Sequence, residues 1–284
     1  MVDSIRSAAP VGSLGSSRPT QIPLSFHPHF DPDQVKVEIE NLGIFYSDGT
    51  ESLRGITFTI PANQITVLFG PAGGGKSTLL RTLNRLNDLA DVVSIKGSVR
   101  IDGENILDAK TDVIGLRRRV GMVFARPVVL PMSIRQNLTY GLELRGDKSN
   151  EHTNELIETS LRSAALWDEV HDRLDEPAVS LSGGQQQRLC LARVLVLEPD
   201  IILLDEPTSG LDPISTGKVE TSLQILKQNY TIVIVPHSVQ QAARIADYAA
   251  FFLDGQMIEY SRGPEIFTHP RHPKTQDYVE GRFG

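Results

Sequence analysis

The sequence predicts an α/β protein with a parallel core sheet, an antiparallel β subdomain beside it and an α-helical subdomain inserted into it. Three observations lead there. Ile65-Thr66-Val67-Leu68-Phe69, Ile201-Ile202-Leu203-Leu204 and Thr231-Ile232-Val233-Ile234-Val235 are short, nearly continuous apolar runs, as expected of strands covered on both faces. Val35-Lys36-Val37-Glu38-Ile39 alternates in the manner of a half-buried strand, and Gly97-Ser98-Val99-Arg100-Ile101-Asp102-Gly103 reads as another bounded by turns. From 131 to 180 the pattern becomes helical and polar.

In chain order, residues 1–34 are rich in Ser, Pro and Gly, lack a sustained period, and are expected to form a disordered extension. The alternating strands follow from Val35. Leu79, Leu80, Leu83 and Leu86 recur at helical spacing directly after a glycine-rich loop, so that loop joins a buried strand to a helix. Farther on, Glu155-Leu156-Ile157-Glu158 with Leu161, Ala165 and Leu166 marks amphipathic faces of the inserted helical part, about 126–190, and 186–196 reads as one more helix. Residues 35–284 thus read as one domain.

Composition narrows the function. A net charge of -7 and a pI near 5.5 argue against nucleic acid as a partner held by bulk basic charge. The single cysteine, Cys190, cannot form an internal disulfide and reads as a small buried hydrophobe, which fits a reducing, cytosolic setting. No run approaches the roughly 18 apolar residues needed to span a bilayer, and the start lacks a basic stretch followed by an apolar one. Membrane attachment is therefore expected to go through a partner.

Gly70-Pro71-Ala72-Gly73-Gly74-Gly75-Lys76-Ser77-Thr78 fits the G-x-x-x-x-G-K-[ST] pattern. Glycines without Cβ atoms let backbone N–H groups curl round a phosphate chain, and the following helix N-terminus adds a favourable dipole. The pattern assigns the β-phosphate to the loop, the β- and γ-phosphates of ATP to Lys76, Mg²⁺ to the Ser77 hydroxyl, and loop support to Thr78. A glycine-rich turn with a surface lysine is the plainer alternative. Asp205-Glu206 ends an apolar strand, where ligands bind in open α/β sheets. Asp205 is expected to hold Mg²⁺ and Glu206 to orient or deprotonate the attacking water; a solvated strand end before Pro207 is the alternative. Leu181-Ser182-Gly183-Gly184-Gln185 precedes a helix, where Ser182 and the glycines offer a hydroxyl and free N–H groups to an anion or simply cap that helix.

These stretches, with Ser209-Gly210-Leu211-Asp212 and the lone His237, stand in the order found in ATP-binding cassette ATPases, and from Val35 onward the chain is identified as a member of that family. The resemblance implies the P-loop NTPase (RecA-like) fold. It further implies a nucleotide-binding domain at 35–284 working as a head-to-tail homodimer, with Ser182, Gly183, Gly184 and Gln185 of one copy closing over ATP held by the other. Tyr46 then lies where an aromatic stacks on adenine, Asp212 where a loop crosses the dimer interface, and His237 where an imidazole contacts the γ-phosphate. Without that resemblance Tyr46 reads equally as packing of the small sheet, and His237 reads first as a core histidine after Pro236.

Arg117-Arg118-Arg119-Val120-Gly121-Met122-Val123-Phe124 leads to the position where the family places glutamine, and here stands Ala125, which has neither amide donor nor acceptor. Reduced or altered coupling is expected there. Leu83-Asn84-Arg85-Leu86-Asn87-Asp88, Pro131-Met132-Ser133-Ile134 and the ending Asp277-Tyr278-Val279-Glu280-Gly281-Arg282-Phe283-Gly284 are similar to the cassettes of bacterial phosphate importers. That likeness implies two integral membrane permease subunits, an extracytoplasmic phosphate-binding protein and a peripheral place on the cytoplasmic face of the membrane. A polar amino-acid importer and a weakly hydrolysing regulatory subunit remain open alternatives.

Overall fold

The computed structural model describes residues 28–147 and 151–282. Strands β1 (Val35–Tyr46), β2 (Glu51–Pro61), β4 (Val92–Ile101) and β5 (Glu104–Asn105) form an antiparallel sheet in the order β2-β1-β4-β5. Strands β3 (Ile65–Phe69), β6 (Val120–Val123), β7 (Ile201–Asp205), β8 (Thr231–Val235), β9 (Tyr248–Leu253) and β10 (Gln256–Arg262) form a second sheet, ordered β10-β9-β3-β8-β7-β6. All its neighbours are parallel except the edge pair β9 and β10. This is the α/β architecture the apolar runs predict.

Why those runs are continuous follows from what covers them. In β3, β7 and β8 every residue is buried. Ile65, Val67, Phe69, Ile202, Leu204, Ile232 and Ile234 face one core, shared with α3 (Ile134–Arg145), α4 (Glu151–Ser163), α6 (Gly183–Leu195) and α7 (Pro213–Leu226) through Leu138, Ile157, Leu161, Leu189 and Leu223. Leu68, Ile201, Leu203, Val233 and Val235 face the other, shared with α1 (Lys76–Leu83), α2 (Val113–Arg119) and the antiparallel sheet. Successive side chains of a strand point to opposite faces, so two-sided burial demands an unbroken apolar run. Each such buried aliphatic side chain contributes about 1.5–3 kcal/mol. Helices α5 (Trp167–Val170), α8 (Val239–Ile245), α9 (Gly263–Thr268) and α10 (Pro273–Val279) complete the described α-helices.

Several local expectations are corrected. The strand starting at Val35 runs on to Tyr46, and β2, β9 and β10 are strands that alternation and apolar runs did not single out. Gly97 bounds no strand: it lies inside β4 with φ of +85°, where the register against β1 jumps from Glu40↔Ser98 to Gly43↔Lys96. There Asn41 and Leu42 oppose Gly97 alone, as in a β-bulge. The helix expected at 186–196 starts at Gly183, because Ser182 and Gln185 form a reciprocal capping box. Leu86 lies in a separate 3-10 turn after α1 ends. Ala165 is exposed with φ of +52° just past α4, and Ala164 takes the buried place. Residues 1–27 of the predicted extension, and 283–284 of the family-like ending, lie outside the described residues. Within 28–34, the Phe30 ring packs edge-on against Tyr248 with centroids 5.0 Å apart.

At Gly97 an added Cβ would stand 2.3 Å from the Glu40 carbonyl oxygen. Gly97→Val is therefore expected to lower unfolding free energy by about 1–3 kcal/mol in urea titration, and an unchanged midpoint would contradict the bulge argument.

Candidate functional site

Loop 70–75 leaves the end of β3 and enters α1. Its conformation depends on missing side chains at two points. Gly70 has φ of +138°, and a Cβ there would lie 2.0 Å from the Phe252 carbonyl oxygen. Gly75 caps α1 with φ of +95°, and a Cβ there would lie 2.6 Å from both the Ser52 carbonyl oxygen and Leu53 Cδ2. The loop is thus pressed between β9 and β2. Gly75 offers no side-chain cap, so the N–H groups that open α1 remain available to an anion.

Lys76, first in α1, folds back and donates to the carbonyls of Gly70 (2.8 Å) and Pro71 (2.7 Å). Burial pushes its ammonium below the ordinary lysine range, while the negative charges of Glu206 and Asp205 work against that shift. The next residue, Ser77, donates its hydroxyl to Asp205 Oδ1 at 2.9 Å, across the gap between α1 and the end of β7. Arg81 approaches the other carboxylate oxygen of Asp205 at 3.9 Å. Thr78 shares a hydrogen bond with Ser52 (2.8 Å), and the Tyr46 hydroxyl lies 3.5 Å from the same threonine oxygen. Tyr46, at the end of β1, therefore stands beside the loop.

Glu206 follows Asp205 with φ of +49°, a conformation uncommon for a residue with a side chain. Its N–H donates to the Val235 carbonyl (2.8 Å) and its carbonyl accepts from Ser209 (3.0 Å), so backbone bonds on both sides hold the turn. His237 comes just past β8. Its ring is exposed, against the expectation of a core histidine, because the chain has already turned out of the sheet at Pro236. Its N–H donates to Gln241 Oε1 (3.0 Å), which also accepts from Thr208 (3.1 Å), and Gln241 Nε2 donates to Glu220 (3.2 Å). Buried Gln241 thus ties the turn after Glu206 to the turn bearing His237, a link that no local pattern signals.

The 182–185 segment sits elsewhere on the chain. Ser182 caps α6, and Gln185 Nε2 donates to Glu169 at 2.9 Å. Among the described residues no hydrogen bond or ion pair joins 182–185 to 70–78. Gly184 packs against Ser215, whose hydroxyl donates to Asp212 Oδ2 (2.6 Å), and Asp212 in turn caps α7. These bonds with Ser215 hold the Asp212 carboxyl below its usual range. Glu169 was not anticipated, since an acidic residue on a short helix carries no pattern of its own. It accepts from Arg188 Nη1 (2.9 Å) and Nη2 (3.0 Å) and from Lys218 (2.5 Å) as well as Gln185. Burial alone would raise its pKa; the hydrogen bonds from Arg188, Lys218 and Gln185 outweigh it and bring the carboxyl down to about 2.

Ala125 is half-buried in the connection between β6 and α3. The carbonyl just before it, that of Phe124, accepts from Gln187 Nε2 (2.9 Å), and the buried Gln187 Oε1 has no partner. Cys190 lies one turn farther along α6, buried, with its thiol pushed up by desolvation and directed at the Val128 carbonyl (3.7 Å). Phe124, Val128, Met132, Tyr140 and Leu144, all between the end of β6 and the end of α3, expose apolar side chains. Among the described residues no helix is long and apolar enough to cross a membrane.

The family model described as ABC transporter matches residues 53–209. Phosphate import ATP-binding protein PstB 1 of Vibrio parahaemolyticus serotype O3:K6 (strain RIMD 2210633) is 51% identical over 262 residues, covering 92% of this chain and 96% of that protein. Among solved structures, cbiO1 from Clostridium perfringens, part of the ABC transporter complex cbiONQ, superposes with a TM-score of 0.73 at 27% identity, covering 88% of this chain and 97% of that one. A bacterial Atm1-family ABC exporter with ATP bound gives the same TM-score at 24% identity, over 91% of this chain and 44% of its own, a likeness of fold.

The carboxyl of Glu169 has a folded pKa of about 2 against an ordinary 4.5. The stability it contributes is complete above about pH 4.5 and is lost as pH falls toward 2. In urea titrations the gap between native chain and Glu169→Gln should shrink steadily below pH 4.5. A gap independent of pH down to 3, on the order of the window's midpoint, would show that the pairing does not set that pKa.

Proposed function

The chain belongs to the ABC transporter family, and from that premise we propose that it is the ATP-binding subunit of an import complex, hydrolysing ATP to drive inorganic phosphate across the cytoplasmic membrane. The observation that carries the cargo is the 51% identity, over almost the full length of both chains, with a phosphate import protein. No residue on the chain contacts the cargo in this reading; two permease subunits and an extracytoplasmic phosphate-binding protein do so. The exposed apolar side chains between β6 and α3 support docking to those permeases at the cytoplasmic face.

ATP binds as substrate in the loop Gly70, Pro71, Ala72, Gly73, Gly74, Gly75, whose N–H groups and helix N-terminus receive its phosphates. Lys76 exchanges its two backbone carbonyls for phosphate oxygens, gaining a full negative partner for a partly desolvated ammonium. Ser77 and Asp205 fit a hard cation, since a hydroxyl and a carboxylate already meet at 2.9 Å beside the loop. They would hold Mg²⁺, which neutralises phosphate charge when bound. Tyr46 and Thr78 flank the loop on the side of β1, where Tyr46 stacks on adenine.

Glu206 accepts a proton from the water that attacks the γ-phosphorus; the bond from that phosphorus to the bridging oxygen breaks, and ADP and phosphate result. His237, exposed at the end of β8, contacts the γ-phosphate. Ser182, Gly183, Gly184 and Gln185 complete the site from a second copy; among the described residues no hydrogen bond or ion pair joins them to the loop of their own chain. Asp212 crosses the same interface. Residues 35–284 act as one nucleotide-binding domain. Tighter binding of ATP to the closed homodimer switches access in the permeases, and hydrolysis reopens it.

In the assembled complex, Glu206→Gln is expected to retain ATP binding while ATPase turnover and uptake of labelled phosphate fall together by about 10²–10⁴-fold. Equal uptake of labelled polar amino acids by the native system would instead reassign the cargo. For Ala125→Gln, a changed turnover or Mg²⁺ dependence in the complex is expected, because the new amide adds a donor and an acceptor at the loop held by Gln187. Identical kinetics would remove Ala125 from the coupling route.

A further inference from the structure

The starts of α6 and α7 lie against each other with no space for a methyl group: a Cβ on Gly184 would stand 2.5 Å from the Ser215 hydroxyl. That hydroxyl donates to Asp212 Oδ2, so the residue capping α7 is joined through one side chain to the second glycine of α6. A second bridge spans the same pair of helices. Lys218 of α7 donates to Glu169 Oε1 at 2.5 Å, and Glu169 also receives Gln185 and both terminal nitrogens of Arg188 from α6. The two arms of this bridge differ in environment. The Arg188 side chain is 3% exposed and that of Lys218 is 42% exposed. Arg188 therefore anchors α5 to α6 inside the protein, whereas Lys218 reaches across from α7 at the surface.

We infer that Lys218 is a positioning residue for the composite ATP site: through Glu169 it holds the start of α6 in register with the start of α7, so that Ser182, Gly183 and Gly184 reach the second copy's ATP together with Asp212. The inference rests on the composite-site reading above. Its physical basis is the division of labour at Glu169. Removing the lysine leaves the carboxylate paired with Arg188 and Gln185, so no charge is stranded and the fold loses little, as for other exposed ion pairs. What is lost is one of the two links between elements that must act on one ligand at the same moment, while the Gly184–Ser215 contact remains. A contact that only fixes relative placement shows up in assembly and leaves single-chain binding alone.

The test uses the purified full-length chain carrying Glu206→Gln, so that bound ATP persists, with Mg²⁺ and ATP added as probes. Pairing is followed by light scattering, affinity for ATP by titration of dilute protein, and stability by thermal midpoint. Adding Lys218→Met should weaken ATP-driven pairing about fivefold or more, leave single-chain ATP affinity and thermal midpoint unchanged, and be rescued by Lys218→Arg. Pairing equal to that of the parent overturns the inference and leaves the composite site standing. A loss of pairing matched by loss of affinity or of thermal midpoint also overturns it, by making the role a general structural one. Should the Glu206→Gln parent itself fail to pair with ATP, the composite-site reading falls and the inference with it.

Discussion

Two-sided burial of β3, β7 and β8 is the constraint on which the rest of the molecule depends. Because both faces of these strands are covered, their only open ends are the tips, and the parallel arrangement brings three carboxyl-terminal tips to one edge. Loop 70–75 follows β3, Asp205 ends β7 with Glu206 next to it, and His237 follows β8. A ligand at that edge meets groups carried at the ends of fully buried strands, which is where open α/β sheets bind theirs.

At that edge the side chains of Lys76, Ser77 and Asp205 are already paired. Lys76 is satisfied by carbonyls of its own loop and Ser77 by Asp205, so each has a partner that phosphate or a cation would replace or join. Burial favours release of the Lys76 proton, and the nearby carboxylates Glu206 and Asp205 oppose it. The backbone is equally committed. Gly70 and Gly75 lie where any side chain would collide with β9 or β2, and Glu206 keeps its unusual φ because bonds to Val235 and Ser209 hold it on both sides.

Local pattern was informative wherever one element by itself dictates the outcome. Unbroken apolar runs identified the central strands, because a residue exposed on either face would cost burial energy. Ser-x-x-Gln at Ser182 and Gln185 is the pattern of a capping box, which starts α6 at Gly183. Pattern was silent or misleading where a distant partner decides. Gly97 looked like a turn because glycine ends many strands, but β1 needed a bulge opposite Asn41 and Leu42. Without the family resemblance His237 reads as a core residue, since a histidine after an apolar run gives no sign of where the chain leaves the sheet.

By itself the sequence determined the fold class, the three central strands and the membership of this chain in the ABC transporter family, because each depends on periodicity or on short motifs that survive being read in one dimension. Only the tertiary structure decided that Ser77 meets Asp205, that Gln241 joins the turns of Glu206 and His237, and that Glu169 gathers Gln185, Arg188 and Lys218 from two other helices. Hydrogen bonds between residues far apart in the chain leave no periodic trace. They follow from how helices and strands pack, and packing is set by the whole set of buried side chains at once.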